Sequence, residues 1–186
     1  MKGGNSRGVW LLIVGILLVV IDHVIKTLVK GNMYPGEQIF VIGQWFRLCF
    51  VENEGFAFGM KFGGMWGKYV LSLFRIGLFA VLTVWIARLC RRPEIPGGVL
   101  AGLTLIDAGA LGNIIDCLFY GLIYAPHAPF LQGKVVDMFY FPIIRTEHFV
   151  FFEPVFNFAD ACVTVGAIYL LLFHWKFFLA EEKKEG

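Results

Sequence analysis

The stretch Phe156–Gly166, FNFADACVTVG, opens the last long apolar run of the chain. It sets Asn157 and Asp160 one helical turn apart where the sequence turns lipid-like. An ionisable carboxyl at the start of a membrane helix is costly, and such residues mark function by default. Capping of the helix start by Asn157 is the plainer alternative for that residue.

Composition supports a membrane setting. The 186 residues are 58% hydrophobic and only 16% charged, with 20 Phe, and the mean hydropathy is +0.72. Soluble domains are roughly a quarter charged and less apolar. A net charge of +2 is too small to argue for nucleic acid. Cys49, Cys90, Cys117 and Cys162 are scattered without CxxC or zinc-ligand spacing and read as apolar fillers. His23, His127, His148 and His174 are equally dispersed, so neither a metal nor a cofactor is expected.

A membrane helix needs about 20 mostly apolar residues. Four stretches qualify: Val9–Val29, Trp66–Leu89, Gly98–Tyr120 and Phe156–Phe178. The first is preceded by Lys2 and Arg7 like a signal peptide, but no small-residue cleavage pattern follows and the apolar run continues past Asp22. It reads as a retained span. Lys2, Arg7, Arg88, Arg91, Arg92, Lys176, Lys183 and Lys184 crowd short segments on one side. Lys30, Arg47, Lys61, Lys68, Lys134 and Arg145 are diluted over two long segments on the other. The density places both termini and the CRRPEIPGG connection in the cytoplasm. The expected fold is a mainly α membrane protein, a single domain over 1–186. Four transmembrane helices are joined by a small β-rich extracytoplasmic part over about 30–65 and 121–155. Alternation in EQIFVIGQWFRLCFVEN predicts short strands there.

The polar residues inside the spans share one depth. At ~1.5 Å per residue, Asp22 lies about 20 Å above Val9, and Asn113 and Asp116 about 22–27 Å above Gly98. Asp160 lies about 21 Å above His174. In a core ~30 Å thick, all fall in the outer third. Asp22 and Lys26 are spaced i,i+4, acid first, and meet on one face, which is also what a structural ion pair near the interface would show. Asn113/Asp116 and Asn157/Asp160 both read N-x-x-D, again one face each. Arg75 and Asp107 read as helix–helix contacts. Asp137, in GKVVDMFYF, falls in the second outer segment among apolar residues, where a lone Asp would be a loop residue. A proton or solute relay would instead spread its acids as a ladder across the membrane, and a non-catalytic scaffold would not depend on them.

Five motifs, IDHVIK (Ile21–Lys26), ENEGFAFG (Glu52–Gly59), AGALGNIID (Ala108–Asp116), GKVVDMF (Gly133–Phe139) and FNFADACVTVG, occur in this order. Together the chain resembles the lipoprotein signal peptidase (signal peptidase II) family of bacterial membrane aspartic peptidases. The resemblance implies a multi-pass enzyme of the inner membrane without cofactor, taken as monomeric. It would remove the signal peptide from diacylglyceryl-modified prolipoproteins, cutting N-terminal to the lipidated cysteine. Its catalytic pair would be Asp137 and Asp160. Asn53, Gly55, Asn113, Asp116, Asn157, Asp22 and Lys26 would support the site or bind substrate. The chain departs from the family at Cys117, where relatives usually have Arg. It also carries an extra piece around YAPHAPFLQ and a longer run between Asp137 and Asp160; loops tolerate such insertions cheaply.

Two neighbouring carboxyls can hydrolyse a peptide without metal or nucleophilic side chain, because like charges do not easily ionise together and one proton is shared. The aromatic Phe40–Phe58 region is expected to cover such a site as a lid.

Overall fold

The computed structural model describes residues 3–54, 64–124, 130–142, 144–145, 150–151 and 154–179. Four helices, α1 (Gly3–Asn32), α2 (Gly64–Leu89), α3 (Gly97–Ile123) and α4 (Phe158–Phe173), alternate with six short strands. These are β1 (Gln38–Ile42) and β2 (Phe46–Asn53) between α1 and α2, and β3 (Val135–Tyr140), β4 (Ile144–Arg145), β5 (Val150–Phe151) and β6 (Val155–Phe156) between α3 and α4. The strands make a four-stranded antiparallel sheet of order β1-β2-β3-β6 and a separate β4-β5 pair.

Among the described residues, three helices are long and apolar enough to cross a membrane, over Ser6–Asn32, Trp66–Leu89 and Gly97–Gly121. The fourth departs from the expected Phe156–Phe178 span at both ends. Val155 and Phe156 belong to β6, paired with Tyr140 and Phe139 of β3. Asn157, in an extended conformation, ends that strand and caps α4. At the other end the helix stops at His174, whose ring nitrogen lies 3.2 Å from the Tyr169 hydroxyl, before a further helical turn at 175–179. The 16 residues of α4 rise about 24 Å, less than the hydrocarbon thickness.

Large apolar side chains on α1 and α2 stay exposed, among them Leu12, Leu17, Val24, Phe74, Leu78 and Val81. α3 is the hub, packed by α1, α2 and α4. Its glycines permit close approach. A Cβ on Gly109 would run into the Ala159 carbonyl, and one on Gly112 would stand 2.8 Å from an Asp22 oxygen.

Two apolar cores bracket a polar layer. At one end Ile86, Leu89, Ile95, Val99, Leu100, Leu103 and Leu170 pack together. At the other, the sheet lays Phe50, Val136 and Met138 against Val29 and Met33 of α1 and Tyr120 of α3. Between them, along α1, α3 and α4, fall Asp22, Asn113, Asp116 and Asp160. The β1–β2 hairpin turns at Gly43, whose φ of +54° is one that residues with a side chain rarely adopt. Residues 40–54 of the expected lid form this hairpin, with β1 two strands removed from β3. Residues 55–58 lie outside the described residues.

Candidate active site

Lys26 is fully buried, and its ammonium nitrogen lies 2.7 Å from Asp22 and 2.6 Å from Asp116. A buried cation costs several kcal/mol unless paired; here two carboxylates, themselves 1% and 3% exposed, share it. Asp22 also accepts the Ala159 backbone N–H at 2.9 Å, which ties the start of α4 to α1. Lys26 makes one further contact, donating to the Asn113 side-chain oxygen at 3.1 Å.

Asn113 leads from this ion cluster to a second group. Its amide nitrogen donates to Asp160 Oδ1 at 2.7 Å, while its oxygen also accepts from Asn157 Nδ2 at 3.0 Å. Asn157 donates to Asp137 Oδ1 at 2.7 Å and accepts the Asp160 backbone N–H at 2.8 Å. Asp160 Oδ2 in turn accepts the Asn157 backbone N–H at 3.3 Å, completing a capping box. One amide side chain thus joins Asp137 to the residue that carries the second carboxyl.

The sheet supplies the other half. Asp137 sits on β3 between β2 and β6. Asn53 of β2 is paired with Val135, which shares a face with Asp137 because side chains alternate along a strand. Diagonal neighbours of this kind are within reach across a sheet, and Asn53 Nδ2 donates to Asp137 Oδ2 at 3.0 Å. Both Asp137 oxygens therefore accept from neutral amides. Burial pushes the Asp137 carboxyl up, as does the negative charge of Asp160, to about 7. The carboxyl is 2% exposed.

The expected residues Asp22, Lys26, Asn53, Asn113, Asp116, Asp137, Asn157 and Asp160 thus lie in one connected network. Gly55 lies outside the described residues. Arg75 and Asp107 do make helix–helix contacts: Arg75 Nη1 is 3.8 Å from Cys117 Sγ, and Thr83 donates to both Asp107 oxygens at 2.9 and 3.1 Å. A cationic group of α2 therefore touches the Cys117 side chain, the residue at which the resemblance led to an Arg. All four cysteines are free and buried. Among the described residues, no three of His, Cys, Asp and Glu gather as metal ligands would.

Sequence reasoning missed a further group. Glu52 accepts from Lys30 at 2.6 Å and from Tyr120 through one oxygen, and from Lys134 at 3.1 Å through the other. The i,i+4 and N-x-x-D spacings carried no signal for it, since its partners lie 22, 68 and 82 residues away.

Comparisons with known proteins agree with this architecture. Residues 14–176 match the family model described as signal peptidase (SPase) II. A relative from Porphyromonas gingivalis, named lipoprotein signal peptidase, is 43% identical over 182 aligned positions, covering 84% of this chain and 79% of its own. One of the same name from Amoebophilus asiaticus is 34% identical, covering 86% and 75%. Two solved structures described as bacterial membrane enzymes share the fold, with TM-scores of 0.63 and 0.65. Their identities are 21% and 23%, and they cover 95% and 89% of this chain and 91% and 92% of their own.

Proposed function

Because the chain belongs to the signal peptidase II family, we propose that it is an aspartic endopeptidase in which Asp137 and Asp160 activate water to cleave diacylglyceryl-modified prolipoproteins N-terminal to the lipidated cysteine. The observation that carries this reading is the Asn157 amide that links the two acids at the start of an apolar helix.

Asp137 is the member that burial keeps protonated toward neutral pH. Asp160 lies in the first turn of α4, where its carboxyl accepts from the Asn113 side-chain amide and the Asn157 backbone N–H. With the proton on Asp137, the Asp160 carboxylate takes a proton from water as its oxygen attacks the scissile carbonyl carbon. Asp137 gives its proton to the carbonyl oxygen. The tetrahedral intermediate then breaks its C–N bond as the proton held by Asp160 passes to the leaving amine and one hydroxyl of the intermediate returns its proton to Asp137, restoring the starting state.

The substrate's signal helix spans the bilayer, and its acyl chains hold the neighbouring cysteine at the lipid boundary. A carboxyl pair near the outer leaflet meets the bond there, with both termini cytoplasmic and the enzyme acting as a monomer. The exposed apolar sides of α1 and α2 would receive the acyl chains. Asp22, Lys26 and Asp116 hold α1, α3 and α4 together beneath the pair, while Asn53, Asn113, Asn157 and Gly55 orient it or contact substrate.

The test mixes purified enzyme with a diacylglyceryl-modified preprolipoprotein and with its unlipidated counterpart. Cleavage of the lipidated form alone is expected. Equal cleavage of both would remove lipid recognition from the reading, and cleavage of neither would remove the activity.

A further inference from the structure

The Glu52 carboxylate ties four segments together on the face of the sheet opposite Asp137. Lys30 comes from the last turn of α1, Tyr120 from the last turns of α3, and Lys134 from the residue before β3. Lys30 also donates to the Tyr120 hydroxyl at 2.5 Å and lies 4.2 and 4.7 Å from the Tyr120 and Tyr124 ring centres. Glu52 is paired with Val136, and the next residue, Asn53, with Val135. The clamp therefore grips β2 one residue from the amide that donates to Asp137, and grips β3 one residue before its start.

We propose that Glu52 is a positioning residue for the proposed reaction: by fixing β2 against β3, α1 and α3, it holds Asn53 in place to donate to Asp137. The inference rests on the reading of Asp137 as one of the two catalytic acids. Glu52 touches none of the reacting groups itself and acts through Asn53. Burial pushes its carboxyl up, but the hydrogen bonds from Lys30, Tyr120 and Lys134 outweigh that and bring it down to about 2, so the clamp stays charged. A mobile Asn53 would withdraw an N–H from ionised Asp137. That disfavours the ionised form, so Asp137 would keep its proton to higher pH.

The experiment compares Glu52→Gln, Asn53→Ala and the double variant, using cleavage rates of a lipidated substrate across pH. Glu52→Gln is expected to lower kcat on the order of tenfold with little change in KM, since small misplacements of a catalytic group cost rate. The alkaline limb of its rate profile should move to higher pH, as should that of Asn53→Ala. Added to Asn53→Ala, Glu52→Gln should cost less than about twofold more, because residues acting as a unit are not additive. Full multiplication of the two losses, or an unmoved alkaline limb in Glu52→Gln, overturns the proposal. Should Glu52→Gln not fold, Lys134→Met removes one anchor from a half-exposed position. A smaller shift in the same direction, absorbed by Asn53→Ala, then supports the proposal, and a wild-type profile overturns it. An inactive Asp137→Asn beside an unaltered Glu52→Gln sinks this inference alone. A fully active Asp137→Asn sinks the reading beneath it.

Discussion

The molecule holds two pairs of acids that differ in what stands between them. Asp22 and Asp116 share an ammonium group, Lys26. Asp137 and Asp160 are joined through an uncharged residue, Asn157, whose amide donates to the Asp137 carboxyl and accepts the Asp160 backbone N–H. A cation between two carboxylates attracts both and binds the helices that carry them. A neutral amide leaves the mutual repulsion of two acids in force, which the proposed mechanism uses to keep one proton between them. In the proposed mechanism residues of the same type are thereby set to opposite uses, one pair for cohesion of the helices and one for chemistry.

The sharpest test of that contrast is to neutralise the second pair. Asp137→Asn and Asp160→Asn are each expected to reduce cleavage of a lipidated substrate by about ten-thousandfold, the upper range for loss of acid–base chemistry. Each should leave the thermal unfolding of the detergent-solubilised protein close to wild type. Full activity in either variant would remove that residue from the pair.

Breaking the first pair should do the reverse. Lys26→Met strands two carboxylates in the interior, and losing one partner of a buried ion pair costs about 3–5 kcal/mol. Lower melting temperature and poor recovery are the expected result, with activity falling in proportion to folded protein. Restoring neutrality in Asp22→Asn/Lys26→Met/Asp116→Asn should recover much of the stability. A Lys26→Met protein that melts like wild type but does not cleave would assign Lys26 to the chemistry and erase the distinction.

The two pairs were unequally legible in the sequence. Asp22 and Lys26 announce themselves at i,i+4, and counting residues along the spans already put Asp22, Asn113, Asp116 and Asp160 at one level. Helical rise makes depth readable from sequence, so α2 and α3 end within three residues of the apolar runs that predicted them. The expected fourth span begins at Phe156, two residues before α4, because Phe156 is as apolar as the helix that follows. Only pairing with β3 makes it part of a strand. Asp137 was placed with Asp160 by family resemblance, and its donors by nothing local. Asn53 reaches it through the register of β2 on β3 across 84 positions. The clamp on Glu52 depends on the same register. Contacts inside one helix follow a fixed period, whereas contacts across a sheet depend on a pairing that no single strand encodes.

Asn157 is where the comparison becomes finest, because it serves structure and chemistry at once. Asn157→Ala removes the α4 cap, costing about 1 kcal/mol of stability, and takes one N–H from Asp137 Oδ1. Asn53 still donates to Asp137, and Asn113 still donates to Asp160, so both acids keep an orienting partner. Cleavage should therefore fall roughly tenfold to a hundredfold, less than for either Asp change. The direction of the pH effect follows from the lost donor. A hydrogen bond to a carboxylate favours the ionised form, so its removal raises a value already near 7. Asp137 would then keep its proton further into alkaline solution, and the alkaline limb of kcat/KM should move upward. A limb that moves down, or a loss as deep as that of Asp137→Asn in a normally folded protein, would mean that the amide takes part in the reaction rather than aligning the two acids that carry it out.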